Sequence, residues 1–176
     1  MENAKVIIVM GSDSDLGQMA AAADILDEFK IAYEIHVSSA HRTPERTHEI
    51  VAEGEKNGAK VFIAAAGGAA HLAGVVASAT TLPVIGVPIS TNIMGGMDSL
   101  LSTVQMPSGI PVATVAIGGA KNAGILAAQI LSVADENLAA TLKNYRQKMA
   151  RGVLAKDQKL GSMTVKQYLE EKKQQK

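Results

Sequence analysis

The residues best equipped for chemistry fall between positions 38 and 46. There Ser38-Ser39-Ala40-His41-Arg42-Thr43-Pro44-Glu45-Arg46 sets hydroxyls, an imidazole and guanidinium groups between an apolar run and a helix start. Thr43 stands where a side chain can cap a helix, and Pro44 would occupy its first position, where the missing N–H costs nothing. His41 and Arg42 then project from a strand-to-helix turn. Ser39, Arg42 and the free amides of the helix start could together hold a phosphate. His41 beside them would carry a proton, since an imidazole in water titrates near neutrality. A solvated surface turn would also account for a His-Arg pair, so the weight falls on what converges with it.

The elements that must position this stretch are legible in the pattern. Residues 5–10 are a continuous β-branched run, the mark of a strand covered on both faces, and it ends at Gly11. The turn 11–15 follows, carrying Ser12, Ser14 and Asp15, with Ser14 or Asp13 as the expected cap of a helix running to about Phe29. Residues 31–37 read as the second strand, and the helix from Thr43 runs to Lys56 before Asn57-Gly58. The third strand, 59–66, stops at Gly67-Gly68 and leads past His71 and Leu72 into a short Ala-rich helix to about Ala79. Residues 83–88 form the fourth strand, a Gly-rich loop 90–96 precedes a helix over 98–104, and 111–117 form the fifth strand. Helices over 122–133 and 135–151 close the pattern.

Five strand–helix alternations imply right-handed crossovers and a parallel sheet with helices on both faces. The expected fold class is α/β: a three-layer αβα sandwich of flavodoxin-like or Rossmann-like type with extra C-terminal helices. Ligands in such folds bind beyond the carboxyl ends of the strands, at a switch point. The turns 11–15, 38–42 and 67–72 all fall on that rim, and their combined chemistry is phosphate binding plus acid–base work. The expected organisation is one catalytic domain over 1–160, then a basic tail over 161–176.

Composition narrows the classes. The hydrophobic fraction is 47%, yet there are two Phe, three Tyr and no Trp, so the core is built from small and aliphatic side chains that let elements pack closely. The absence of Cys excludes disulfides, thiolate catalysis and Cys-ligated metal. No apolar run reaches the ~18 residues of a membrane span, and residues 1–10 read as strand rather than leader, so a cytoplasmic protein is expected. A net charge of zero argues against nonspecific nucleic-acid binding. The charge is nonetheless lopsided, with ten Lys/Arg against three Asp/Glu from position 143 onward, which reads as a solvated or subunit-bridging helix.

Motif by motif, residues 11–15 lack the second and third glycines of the dinucleotide fingerprint, and nothing matches a phosphate-binding loop ending in Lys-Ser/Thr. NAD, FAD and ATP hydrolysis therefore have no visible apparatus. His36 lies in a strand and His48 on a helix, both as structural or solvated groups. His41 and His71 sit on the rim, without the clustered carboxylates or thiols that would complete a metal site.

Four segments together carry a resemblance: Met-Gly-Ser-Asp-Ser-Asp at 10–15, Ser-Ala-His-Arg-Thr-Pro at 39–44, Ala-Gly-Gly-Ala-Ala-His-Leu at 66–72 and Gln-Met-Pro-Ser-Gly-Ile-Pro-Val at 105–112. In order and spacing they resemble the N5-carboxyaminoimidazole ribonucleotide mutase family, also named the catalytic subunit of phosphoribosylaminoimidazole carboxylase, over residues 5–150. The resemblance implies interconversion of N5-carboxyaminoimidazole ribonucleotide and 4-carboxy-5-aminoimidazole ribonucleotide in purine biosynthesis, without metal or organic cofactor, in a homo-octamer. It implies that Ser12, Ser14, Asp15, Ser39 and Arg42 bind substrate, with Ser39 and Arg42 facing the phosphate and Asp15 the ribose. His41 would serve the imidazole carbon that exchanges carboxylate for proton, while Gly67, Gly68, His71 and Leu72 line the pocket for base and carbon dioxide. The chain departs from the family at Ala73, where proline is usual, in a shorter turn at 118–121, and in its tail beyond Gly161. Direct carboxylation of aminoimidazole ribonucleotide, and a non-catalytic nucleotide-binding module on the same fold, are the rival readings.

Overall fold

A computed structural model describes residues 3–174. The chain forms two compact units, the first running to Asp135 and the second starting at Glu136. The first unit is a five-stranded parallel sheet in the order β2-β1-β3-β4-β5, built from β1 (Val6–Met10), β2 (Tyr33–Val37), β3 (Val61–Ala66), β4 (Val84–Pro88) and β5 (Ala113–Thr114). The helices are α1 (Leu16–Glu28), α2 (Pro44–Lys56), α3 (Leu72–Ser78), α4 (Met97–Val104) and α5 (Ala120–Ser132). This is the α/β flavodoxin-like architecture expected from the alternation.

The continuous apolar runs are explained by their place. Every residue of β1 is buried, as are the first five of β3, because both strands lie inside the sheet with helices over each face. Ile7, Val9, Phe62 and Ala64 join Ile50 and Val51 of α2 and Leu72, Ala73 and Val76 of α3 in one core. On the other face α1 packs along α5, where buried Ala22, Ala123, Gly124 and Ala127 leave room for close approach. β2 is an edge strand, and its Ile35 and Val37 are exposed. Ala73 is a buried residue of α3.

Three local expectations are corrected. The cap of the first helical turn is Ser12, not Ser14 or Asp13: its Oγ accepts from the Ser14 N–H at 3.3 Å and starts a 3₁₀ turn (Asp13–Asp15) that leads into α1. Thr43 precedes Pro44 at the start of α2 but makes no side-chain cap. Its hydroxyl closes the turn instead, accepting from Ser39 N–H at 3.0 Å and donating to Ser39 C=O at 3.1 Å. β5 keeps only two of the seven residues expected, because it sits at an edge with β4 as its sole partner and Pro111 has no N–H to pair.

The second unit contains α6 (Glu136–Gly161) and α7 (Val165–Gln174). α6 runs ten residues beyond the expected end at 151. Gly152 stands against it at about 1 kcal/mol relative to Ala, but the Leu, Ala, Lys and Gln among the residues that follow are good helix formers. Thr164 and Gln167 cap α7 reciprocally: Gln167 Oε1 accepts from Thr164 N–H at 2.9 Å, and Thr164 Oγ1 accepts from Gln167 N–H at 3.4 Å. An ion pair between Lys159 and Glu171 links the two helices. No helix among the described residues is long and apolar enough to cross a membrane.

Candidate active site

Strand register brings the three polar turns together. Met10 is level with Val37 on one side and Ala65 on the other, so β1, β2 and β3 end at one height and release their turns side by side. The chain leaves β1 toward β2 and leaves β3 toward β4, which makes the ends of β1 and β3 the switch point. A cavity of about 410 Å³ opens there.

Each turn contributes its own chemistry. From the first, Gly11, Ser12, Ser14 and Asp15 line the cavity. Ser14 Oγ donates to Ser12 Oγ at 2.8 Å and lies 3.3 Å from Asp15 Oδ1, a short relay of acceptors suited to hydroxyls. From the second come Ser39, Ala40, His41 and Arg42. Arg42 is drawn across the gap: its backbone N–H and its Nε both reach Ser39 Oγ, at 3.3 and 3.4 Å, and Nη2 lies 3.5 Å from Gly11 C=O. Beneath this turn Ser38, 2% exposed, bonds Thr47 Oγ1 at 2.8 Å and Thr43 Oγ1 at 3.2 Å, which fixes the backbone carrying His41. From the third come Ala66, Gly67, Ala69, His71 and Leu72.

The second and third turns meet through their histidines. His41 Nε2 lies 2.9 Å from His71 Nδ1, with the rings nearly perpendicular at 86°. One of those nitrogens must donate and the other accept, so a proton on one ring is shared with the lone pair of the other. Among the described residues no group of three or more His, Cys, Asp or Glu could hold a metal. His36, paired with Glu34 on β2, and His48, exposed on α2, lie outside the cavity.

Of the residues singled out in the sequence, all but Gly68 line this cavity. Gly68 turns its amide away, into a bond with Ser99 Oγ at 2.9 Å. Sequence reasoning passed over Ala40, Ala66 and Ala69, whose small side chains give no chemical signal. It also passed over Ser99 and Thr103, whose spacing of four does mark a buried polar face on α4. A wider cleft, about 840 Å³, opens at the opposite end of the sheet. Glu55 is the one ionisable residue in its lining, and its carboxylate already accepts from Thr80, so the larger space has the poorer chemistry.

Asp15 is 8% exposed, and burial lifts its carboxyl above the ordinary carboxylate value, with Asp13 adding to the effect while the bonds from Ser14 and the Ser12 backbone oppose it. A carboxyl raised in the folded state binds more protons folded than unfolded. Stability therefore falls as pH climbs through the window just above the ordinary value, and the cost is fully present at neutrality. Asp15→Asn is expected to gain stability relative to the parent as pH rises from about 3.5 to 7 while weakening ligand binding. Denaturation midpoints of both proteins across that range check it, and a pH-independent difference would refute it.

Comparison with known proteins decides the lineage. The family model described as AIR carboxylase matches residues 5–152. The chain belongs to this family. The N5-carboxyaminoimidazole ribonucleotide mutase of Thermotoga maritima is 56% identical over 168 residues, which are 96% of this chain and 98% of that protein. The phosphoribosylaminoimidazole carboxylase of Schizosaccharomyces pombe is 51% identical across 96% of this chain but only 30% of its own length. The crystal structure of Treponema denticola PurE superposes with a TM-score of 0.82 at 36% identity, covering 88% of this chain and 97% of that one. The family match agrees with the resemblance carried by the four segments.

Proposed function

We propose that this chain is an N5-carboxyaminoimidazole ribonucleotide mutase, interconverting that compound and 4-carboxy-5-aminoimidazole ribonucleotide in purine biosynthesis. One observation carries the reading: the His41 imidazole shares a cavity with the Arg42 guanidinium and the Ser12 and Ser39 hydroxyls, a proton carrier beside an anion cradle. A pure binder has no need of the former. Ser39 and Arg42 hold the phosphate, and Ser12, Ser14 and Asp15 hold the ribose side.

The reaction then needs no activated carboxyl donor. The N–CO₂⁻ bond breaks, its electrons stay on nitrogen, and carbon dioxide remains beside Gly67, His71 and Leu72. The nitrogen takes a proton from His41 while the ring carbon attacks the trapped carbon dioxide. His41 removes that carbon's proton, which restores aromaticity and returns the imidazole to its starting state. Keeping the fragments together makes recapture effectively unimolecular, an advantage on the order of 10⁵ M when alignment is good.

Isotope retention tests this. Substrate labelled in its N-carboxylate, in a large excess of unlabelled bicarbonate, is expected to deliver its label to product within one turnover. Product labelled only at the bulk level would mean release to solvent and would favour the direct carboxylase, the activity named in the Schizosaccharomyces pombe relative.

The same reading makes the protein a cytoplasmic homo-octamer acting on a small nucleotide, with no nucleic-acid or membrane partner. Large apolar side chains support assembly: Ile93 is 90% exposed, and Met94, Met97, Leu101 and Val104 are exposed beside it in sequence. Light scattering at micromolar concentration should give the mass of eight chains, and a monomer would refute it.

A further inference from the structure

We infer that Ser99 is a positioning residue of this site: from α4, behind the cavity, it locks the Gly67-Gly68 turn in the conformation the chemistry uses. Ser99 is 0% exposed and touches nothing in the cavity, yet its Oγ accepts the Gly68 N–H at 2.9 Å. Ser102, on the same helix face, donates to Asp98 C=O at 2.7 Å, and its Oγ lies 3.3 Å from the Gly68 carbonyl. The Gly68 carbonyl also accepts from Ala70 N–H at 2.8 Å within the turn, so the Gly68 N–H is the group that α4 alone holds. Gly68 sits at φ +68°, which glycine reaches as easily as other conformations, so the bond from α4 selects one among several the two-glycine turn could take. Asp98 extends the anchorage by accepting from Thr91 Oγ1 at 3.0 Å.

The helix can stand close enough to do this because β4 carries glycine beneath it. A Cβ on Gly86 would lie 2.5 Å from Thr103 Cγ2 and 2.8 Å from Val112 Cγ1. Thr103 is tied in turn, donating to Ser99 C=O at 2.8 Å, so the rear of Ser99 is fixed as well as its front. The turn it holds leads directly to His71, whose ring meets His41 at 2.9 Å. A shift at Gly68 is therefore transmitted to the histidine pair, and misplacement of ~1 Å costs about 100-fold in rate even when the chemical groups remain. The phosphate and ribose contacts belong to the other two turns and are not tied to α4 in this way.

The inference rests on the mutase reading, and the experiment separates the two. Ser99→Ala in the full chain is expected to accelerate hydrogen exchange of the Gly68 amide, lower kcat by about 10- to 100-fold and leave KM for the ribonucleotide within about threefold. Ser99→Thr, which keeps the hydroxyl, should restore slow exchange and most of kcat. A thermal melt confirms that each variant is folded at the assay temperature, and if Ser99→Ala is not, Ser99→Cys, whose sulfur is a weak acceptor, takes its place in the same measurements. Unchanged Gly68 exchange, or faster exchange with kcat within twofold of the parent, overturns the inference. A parent protein that fails to turn over the carboxylated ribonucleotide overturns the mutase reading alone, and the Gly68 exchange rate still judges the brace.

Discussion

Replacing His41 by asparagine is expected to cut turnover by roughly 10² to 10⁴ while KM for the ribonucleotide changes little. Asparagine is too short to reach His71 Nδ1, which meets the distal Nε2 of the native ring at 2.9 Å, but it is polar and leaves Ser39 and Arg42 in place. What it removes is the group that can hold a proton between leaving one atom and reaching another. The measurement is steady-state absorbance of the carboxylated imidazole, with binding of the ribonucleotide followed separately by calorimetry. Near-parental turnover would reduce His41 to a structural partner of His71.

Arg42→Ala should fail in the opposite way, with KM rising by about 10- to 100-fold and kcat falling less. A charge-assisted hydrogen bond is worth about 1.5–3 kcal/mol, and each 1.4 kcal/mol is about tenfold in affinity. The side chain also spans two turns, from Ser39 Oγ to Gly11 C=O, so its loss loosens the cradle as well as emptying it of charge. Lysine should rescue only in part, because a point charge cannot reproduce the planar fork. The control is the ribonucleoside without phosphate, whose affinity should be nearly the same for parent and Arg42→Ala. An equal loss for both ligands would move Arg42 away from the phosphate.

How much of this was legible in the sequence follows from how local each signal is. The rim turns could be read because strand, turn and helix start are contiguous, and hydroxyls, His and Arg among apolar runs stand out. The sheet's use of those runs was legible for the same reason: residues 6–10 and 61–65 are apolar without interruption only because helices cover both faces. What could not be read is whatever depends on a distant partner. Thr43 has the right type and place for a cap, but Ser39 four residues earlier outcompetes the helix end for its hydroxyl. Residues 111–117 have strand propensity, yet a lone neighbour at the edge supports pairing of only Ala113 and Thr114. The contact between His41 and His71 crosses thirty residues, and that between Gly68 and Ser99 crosses thirty-one. Spacing in the chain says nothing of either.

Every residue lining the cavity lies between positions 11 and 72, and this has a consequence for the order in which the protein comes into being. Once residue 72 has cleared the ribosome, the nascent chain already holds every side chain that lines this cavity. It does not yet own a place to put them. β3 lacks its outer neighbour until β4 arrives, and the turn after β3 has no brace until α4 has been made. The cavity would thus take its shape late and all at once, when residues outside its lining close behind those that form it.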